Sequence, residues 1–438
     1  MAWAGYKALL KNSSRQTIER RERAIMGAAS GGIPNTRHEE WKYTSLRPLL
    51  ESRFEMNSAG KKTIKVSSDI VERVKARLAP NAIPVVLVDG RLDLNWPGSD
   101  GLKSDVFRTL SAGESDEDSS WWEEWQSAAG MEQLFAGMAA GLAEDGILIT
   151  LKNGQVLDRP IHIIHLSTGE QTTSARINRV VISVPEAAKL RVYEEFISAR
   201  ADSPDEVWNN TLTQLKLGPQ ADCGYYRVLS SAGSFHTGAV TAVLDKGSRL
   251  ETFSLAAGAR WARINVNIHY KAPDAQCLLD GLYLTRGSEH VDHHTTVDHE
   301  VGHCRTHQLY KGILADQSRA VFNGKVFIRK DAQGTEAYQT NKNLLLSSDA
   351  EVDTKPQLEI DANDVKASHG AAIGSINPAE LFYLQSRCIS RSDAMSMLCR
   401  GFADDVVMRV TDEVAKDLLT GRVRDWFKAL SNSGEVIS

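Results

Sequence analysis

From Gly146 to about Gly374 the chain is cut into short apolar or alternating runs of five to eight residues, separated by Gly, Asp, Asn and Ser. GILITL, PIHIIHL, RVVISV, LRVYEEFI, TLTQLKL, GYYRVL, GAVTAVL, RLETFSL, ARINVNIHY, CLLDGLYL, HQLYKGIL, AVFNGKVFI, KNLLLS and PQLEI follow one another in this way. Such runs are strand-sized, and stripes with a 3.6-residue period are nearly absent among them, so one long all-β domain is predicted. Repeat lengths look irregular, which weakens a propeller or an immunoglobulin-type sandwich. Residue parity favours a solenoid-like stack of short strands. On AVFNGKVFI, Phe322, Gly324, Val326 and Ile328 share a face, while Asn323 and Lys325 point the other way. Further on, Gln339, Asn341 and Asn343 share one parity, as in the amide ladders that stacked strands favour.

This predicted core, 146–374, lies between a helical or mixed segment, 1–145, and a helical one, 375–438. Residues 3 to 30 read as helix, ended by Gly31, Gly32 and Pro34. RHEEWKYT then reads as an aromatic packing element on a short turn or helix. A helix over SSDIVERVKARL has Ser68 as its cap and Ile70, Val71, Val74 and Leu78 as its stripe. PVVLVDGRL reads as a buried strand running into an Asp-Gly turn. The acidic run from Ser111 to Ser120 reads as a mobile loop, and Trp121, Trp122 and Trp125 lead into a helix that stops at Gly146. Past the core, Asn377 caps a helix with Pro378 as its first residue, Ser390 caps a second with Asp393, and a third starts near Thr411. Val414, Leu418, Trp426, Phe427 and Leu430 form an apolar stripe on that third helix. A bundle this small must dock on the β core, on a partner, or on both.

The net charge is -5 and basic residues are scattered, so no electrostatic footprint for nucleic acid exists. No apolar run approaches the roughly 18 residues of a membrane span, and no secretory h-region follows the first methionine, so a cytoplasmic protein is expected. Five cysteines, odd in number and without a CxxC pair, argue against a disulfide framework and a four-thiolate metal site. No GxxxxGK[ST] or GxGxxG is present, and neither Gly60-Lys61 nor Gly324-Lys325 has the required upstream glycine. Any nucleotide is therefore expected on another chain.

Six histidines crowd into HVDHHTTVDHEVGHCRTH, where His299, Glu300 and His303 spell the HExxH pattern of a zinc hydrolase. That pattern works on a helix, where both histidines share a face and the glutamate activates the zinc-bound water. Thr295, Thr296, Val297, Val301 and Gly302 make a poor helix interior. As a strand, Val291, His293, Thr295, Val297, His299, Val301 and His303 share a face, and Glu300 points away with Asp292, His294, Asp298 and Cys304. The expectation is neutral, hydrogen-bonded structural histidines, with a cross-strand metal site at His299 and His303 as the residual alternative. A carbohydrate-active β-helix enzyme lacks its paired carboxylates here.

HQLYKGILAD, AVFNGKVFIRKDAQGTEAYQTNKNLLLS, KPQLEIDANDVKASHGAAIG and ELFYLQSRCIS closely resemble the SufB/SufD family of iron-sulfur cluster assembly proteins. The likeness is tight over about 280–405 and loose over 37–47; the SHGA setting of His369 and the RHEEWKYT segment resemble its SufD branch. The resemblance implies a right-handed parallel β-helix with helical flanks that pairs with SufB, or with itself when isolated. It implies a SufC ATPase carried by the C-terminal helices, with Leu381, Phe382 and Leu384 facing it, and iron or an iron-sulfur cluster held transiently at the SufB interface with His369 as ligand. A scaffold subunit rather than an enzyme is implied. Two positions depart from the pattern: Ala367 stands where many members have cysteine, and Cys388 where glycine is commoner. Imidazole is a borderline ligand suited to iron or zinc, and a single one permits exchange.

Overall fold

The computed structural model describes residues 15–56, 66–101, 105–110, 134–143, 145–170, 173–200 and 206–432. From Ser174 to Leu345 each strand pairs in parallel with the strands two before and two after it in the chain. Asp222–Leu229, for instance, lies between Lys189–Ser198 and Arg249–Ala257, and Phe235–Leu244 between Trp208–Leu217 and Trp261–Tyr270. Successive strands therefore alternate between two ten-stranded sheets, and the chain coils into a β-solenoid of about seven turns. The repeat is more regular than the sequence suggests: strands of one sheet begin at Asp222, Arg249, Gln276, Arg305 and Thr335. Corner residues differ from turn to turn, which hides the period from composition.

Alternation sorts each strand into an inward and an outward row. Phe322, Val326 and Ile328 are buried in the core shared by both sheets, as their parity predicts, with Val291, Val297 and Tyr310. Gln339, Asn341 and Asn343 also point inward and are buried, joined to the neighbouring rung by hydrogen bonds such as Asn341 Nδ2 to Tyr310 O at 3.1 Å.

One corner of the solenoid is a stack of left-handed residues. Ala187, Gln220, Gly247, Asp274, His303 and Gly334 all have φ between 55° and 71°. Several donate their N–H to the corner one turn on: Ala187 to Pro219 O, Gln220 to Lys246 O, Gly247 to Pro273 O, His303 to Gln333 O and Gly334 to Asp364 O. The stacked bonds offset the cost of a left-handed conformation at the non-glycine positions.

The two ends of the solenoid differ. At the start, the three-residue strands Arg91–Asp93 and Phe107–Thr109 pair antiparallel with Ile83–Val88 and Asp145–Thr150. Ile83–Val88 already belongs to a sheet, ahead of the texture change at Gly146, and turns through Asp89 and Gly90 as predicted. At the finish, Glu351–Ile360 and Val365–Ser375 each pair on one side and leave the other edge open.

Helices cover the outer faces. Arg15–Ser30 packs on Leu134–Leu142, and their alanines meet Ile177, Leu212 and Ala239 of the first sheet. The first helix accounts for the later part of the predicted 3–30 span; residues 3–14, the acidic run 111–120 and Trp121, Trp122 and Trp125 lie outside the described residues. The Leu134–Leu142 helix ends before Gly146, which sits inside the strand Asp145–Thr150 because a side chain there would strike Arg179 O and Leu110. Ser67, not Ser68, precedes the Ser68–Arg77 helix, and its side chain makes no capping bond; the stripe Ile70, Val71, Val74 and Leu78 packs as predicted.

At the C-terminus, Asn377 accepts from Ala379 N and Ser390 from Asp393 N, as the capping signals require. The last helix runs Glu413–Asn432 and is capped by Asp412, whose Oδ1 accepts from Ala415 N; Thr411 instead binds Glu251. Leu418, Trp426, Phe427 and Leu430 pack on Tyr226, Phe253, Leu282 and Ile313 of the second sheet. The bundle thus docks on the β core.

Candidate functional site

His369 lies on the final strand, Val365–Ser375, which is almost wholly exposed. Ala337 pairs with Ala367, Gln339 with His369 and Asn341 with Ala371. Ala367 packs on the edge of the core, so His369, two residues on, shares the inward row but sits at the open end where solvent reaches it. Exposed Ile360 and Ile373 flank this end on the two final strands. An open edge offers a row of unpaired backbone groups and is a ready template for another chain. A lone imidazole there holds a metal weakly by itself and needs further ligands from outside the chain.

The HEVGH segment is not a helix. The strand His290–His299 ends at its first histidine, and Glu300–His303 forms the left-handed corner. The predicted shared face of His299 and His303 therefore fails: His299 is fully buried, whereas His303 is an exposed corner residue. The parity reading erred by extending the strand four residues too far. Glu300 pairs with Lys271, and Cys304 turns into the core. Neither the zinc-hydrolase geometry nor the cross-strand pair is present.

The remaining histidines behave as structural groups. His299 stacks on Tyr270 at 4.3 Å and is hydrogen-bonded to Thr306 Oγ1 at 3.0 Å. His293 lies between Tyr283 and Tyr310, 3.1 Å from Ser254 Oγ. Burial pushes His293 down to about 3 and His299 to about 4. Both rings fold neutral, whereas in the unfolded chain they charge below the ordinary value of 6.5, so the unfolded state binds more protons between that pH and the folded values. Stability present above pH 6.5 is lost on acidification, by about 2 kcal/mol per histidine at pH 5. Urea unfolding at pH 7 and pH 5 checks this: the midpoint falls, and His299→Asn makes the fall shallower.

Among the described residues, His269, Asp298 and Glu300 bring three potential metal-ligand atoms within 4.8 Å of one another. Arg329 grips Asp298 through two bonds, of 2.9 and 2.8 Å, and Lys271 holds Glu300. Two cations already neutralise these carboxylates and oppose a third. Four of the five cysteines are buried, and burial pushes Cys223 up to about 12 and Cys304 to about 11, which makes them inert thiols; Cys388 is exposed.

The sequence reading missed how the RHEEWKYT segment is held. Glu39 pairs with Lys355, and Glu40 with Lys325 and with His294 Nδ1 at 3.3 Å. Thr44 Oγ1 donates to Asp292, which also binds Arg263 Nη1 at 2.6 Å and lies 3.1 Å from His294 Nε2. Arg263 reaches Glu40 O at 2.8 Å and stacks over Trp41 at 4.3 Å. Burial would raise Asp292, but Arg263 and His294 hold it far below the carboxylate range; the hydrogen bond from His294, with Lys325, holds Glu40 at about 2. This ionic clamp ties the N-terminal segment to four consecutive strands of the first sheet. Its partners lie hundreds of residues apart, and no local pattern announces them.

On the C-terminal side, Leu381 is buried against Ala394 and Met395, with Leu384 partly covered beside it. Of the three residues expected to face a partner, Phe382 alone is open, 72% exposed, beside Tyr383 at 57%.

Two family profiles cover nearly the whole chain. The SUF system FeS cluster assembly SufBD core domain matches residues 165–402, and the SufBD protein N-terminal region matches 3–163. The iron-sulfur cluster assembly protein SufD of Escherichia coli (strain K12) is 28% identical over 401 residues, covering 90% of this chain and 89% of its own. A SufBD family protein of Synechocystis is 28% identical over 421 residues, 93% and 89% of the two chains. SufD of Bacillus subtilis (strain 168) is 25% identical over 299 residues, 66% and 65%.

Proposed function

The chain belongs to the SufBD family of SUF-system iron-sulfur cluster assembly proteins, and from that premise we propose that it is a SufD-type scaffold subunit rather than an enzyme. The observation that carries this reading is His369 on an open-edged final strand, inside the matched core domain. Its partner through that end is a SufB chain, which adds ligands beside His369. The cargo is iron or a nascent cluster, handled as a substrate and passed on. Neutral imidazole suits it, since a single nitrogen ligand releases more readily than a cage of thiolates. Ala367 adds no second ligand, so the partner's groups carry the rest.

A SufC-type ATPase supplies the nucleotide chemistry and docks on the helix Pro378–Ser386 through exposed Phe382 and Tyr383. Aromatic anchors of this kind dominate interface energies. Phe382→Asp is expected to weaken capture of SufC by about 2 kcal/mol, roughly thirtyfold, with an unchanged circular dichroism spectrum. Titration of the purified chains by calorimetry measures it.

Co-expression with SufB and SufC, followed by affinity capture of this chain, tests the assignment. Recovery of both partners supports it; recovery of neither removes it.

A further inference from the structure

The last turns of the solenoid contain an amide ladder with a direction. Gln308 Nε2 donates to Thr295 Oγ1 at 2.7 Å, and Gln339 Nε2 donates to Gln308 Oε1 at 2.9 Å. Each amide thus turns its N–H toward Thr295 and its oxygen toward the open end. Thr295, Gln308 and Gln339 are all buried, at 1, 3 and 1% exposure. Gln339 Oε1 is the terminal acceptor, and it is buried without a hydrogen-bond donor. A buried amide oxygen left in that state costs about 1–3 kcal/mol, so the position calls for an N–H. The side chain level with Gln339 on the next strand, on the same inward row, is His369. Neighbouring strands are about 4.8 Å apart, within reach of a side-chain hydrogen bond between register partners.

We propose that Gln339 is a positioning residue for His369: its Oε1 accepts the N–H of one ring nitrogen and turns the other, unprotonated nitrogen toward the open end. The inference rests on the reading of His369 as a ligand for iron or a cluster. An imidazole whose second nitrogen donates to a fixed oxygen is held in one tautomer and one orientation and becomes a better donor to metal, an effect worth roughly 10–100-fold in affinity where it has been removed. The ladder behind Gln339 makes the oxygen rigid, because its own N–H is already committed to Gln308. Gln339 is therefore no simple space-filler: a Leu would keep an apolar side chain in the row but offer no acceptor.

Nitrogen-15 spectra of the full chain labelled at histidine test this without metal or partner, with the His369 signals identified by their loss in His369→Ala. The expected result is one dominant tautomer for His369 in the parent chain, a mixture in Gln339→Leu, and one dominant tautomer again in Gln339→Glu, which restores an acceptor. Circular dichroism verifies that each variant folds, and Gln339→Asn, which withdraws the oxygen by one methylene, replaces the leucine variant if that one does not. Identical ring-nitrogen shifts in the parent and the variant lacking the oxygen overturn the proposal. That failure would leave the assembly role standing, whereas normal cluster assembly in cells carrying His369→Ala would remove that role and leave the tautomer result untouched.

Discussion

Changing His369 to alanine is expected to leave the fold intact while abolishing cluster assembly in cells that rely on this system. The two halves of that expectation have separate causes. His369 stands on an exposed edge strand, where substitutions shift stability by no more than about 0.5 kcal/mol, and loss of its proposed bond to Gln339 Oε1 adds at most about 1–3 kcal/mol. The loss of function follows from chemistry: no other histidine or cysteine on Val365–Ser375 can take over, because Ala367 occupies the neighbouring inward position. Capture of SufB and SufC should survive, since the proposed strand pairing would use the backbone and the proposed ATPase docking would use a separate helix. The measurement is growth and iron-sulfur enzyme activity in a strain lacking the native copy, beside a pull-down. Growth at the parent rate would show that His369 carries no cargo.

Asp292→Ala is expected to cost about 3–5 kcal/mol of stability. Asp292 is fully buried and faces the equally buried guanidinium of Arg263, with Thr44 and His294 completing its contacts. Removing the carboxylate strands a positive charge in a site with little water. The clamp from Glu39 to Thr44 should then release from the first sheet, which Trp41 fluorescence would report. Both Asp292 and Glu40 sit below their ordinary values when folded, so the clamp's stabilisation is complete above about pH 4.5 and is lost as the pH falls toward the folded values. Equilibrium urea unfolding of both proteins at pH 7 measures the difference; a midpoint shift worth less than 1 kcal/mol would show that Arg263 is satisfied by Glu40 O and Trp41 alone.

The strands were legible because a solenoid repeats one demand at every turn: an inward row that fills the core shared by both sheets, alternating with a row on the outer face. Parity therefore placed Phe322 and Val326 inside, and it also found the buried row of Gln339, Asn341 and Asn343. The family resemblance added the parallel coil and singled out His369. Legibility stopped where conformation depends on the neighbouring turn. His303 continues the alternation of its strand on paper, yet it is drawn into a left-handed corner by the carbonyl of Gln333. The clamp was hidden for the same reason: Glu39 and Lys355 are adjacent only after every intervening turn has stacked. Local signals at the helix starts fared better, with Asn377 and Ser390 capping as expected, while tertiary contacts claimed Thr411 for Glu251 and left Asp412 as the cap.

The unequal ends of the solenoid set a limit on growth. Coiled β stacks are natural building blocks of fibres, since a bare last turn can accept the first turn of another copy indefinitely. Here the first turn is blunted by two very short antiparallel strands, so head-to-tail addition has nowhere to attach. Among the described residues the finishing end leaves both final strands with an open edge, and under the pairing proposed above two such ends face and cover each other. The pairing proposed above would therefore stop at two solenoids.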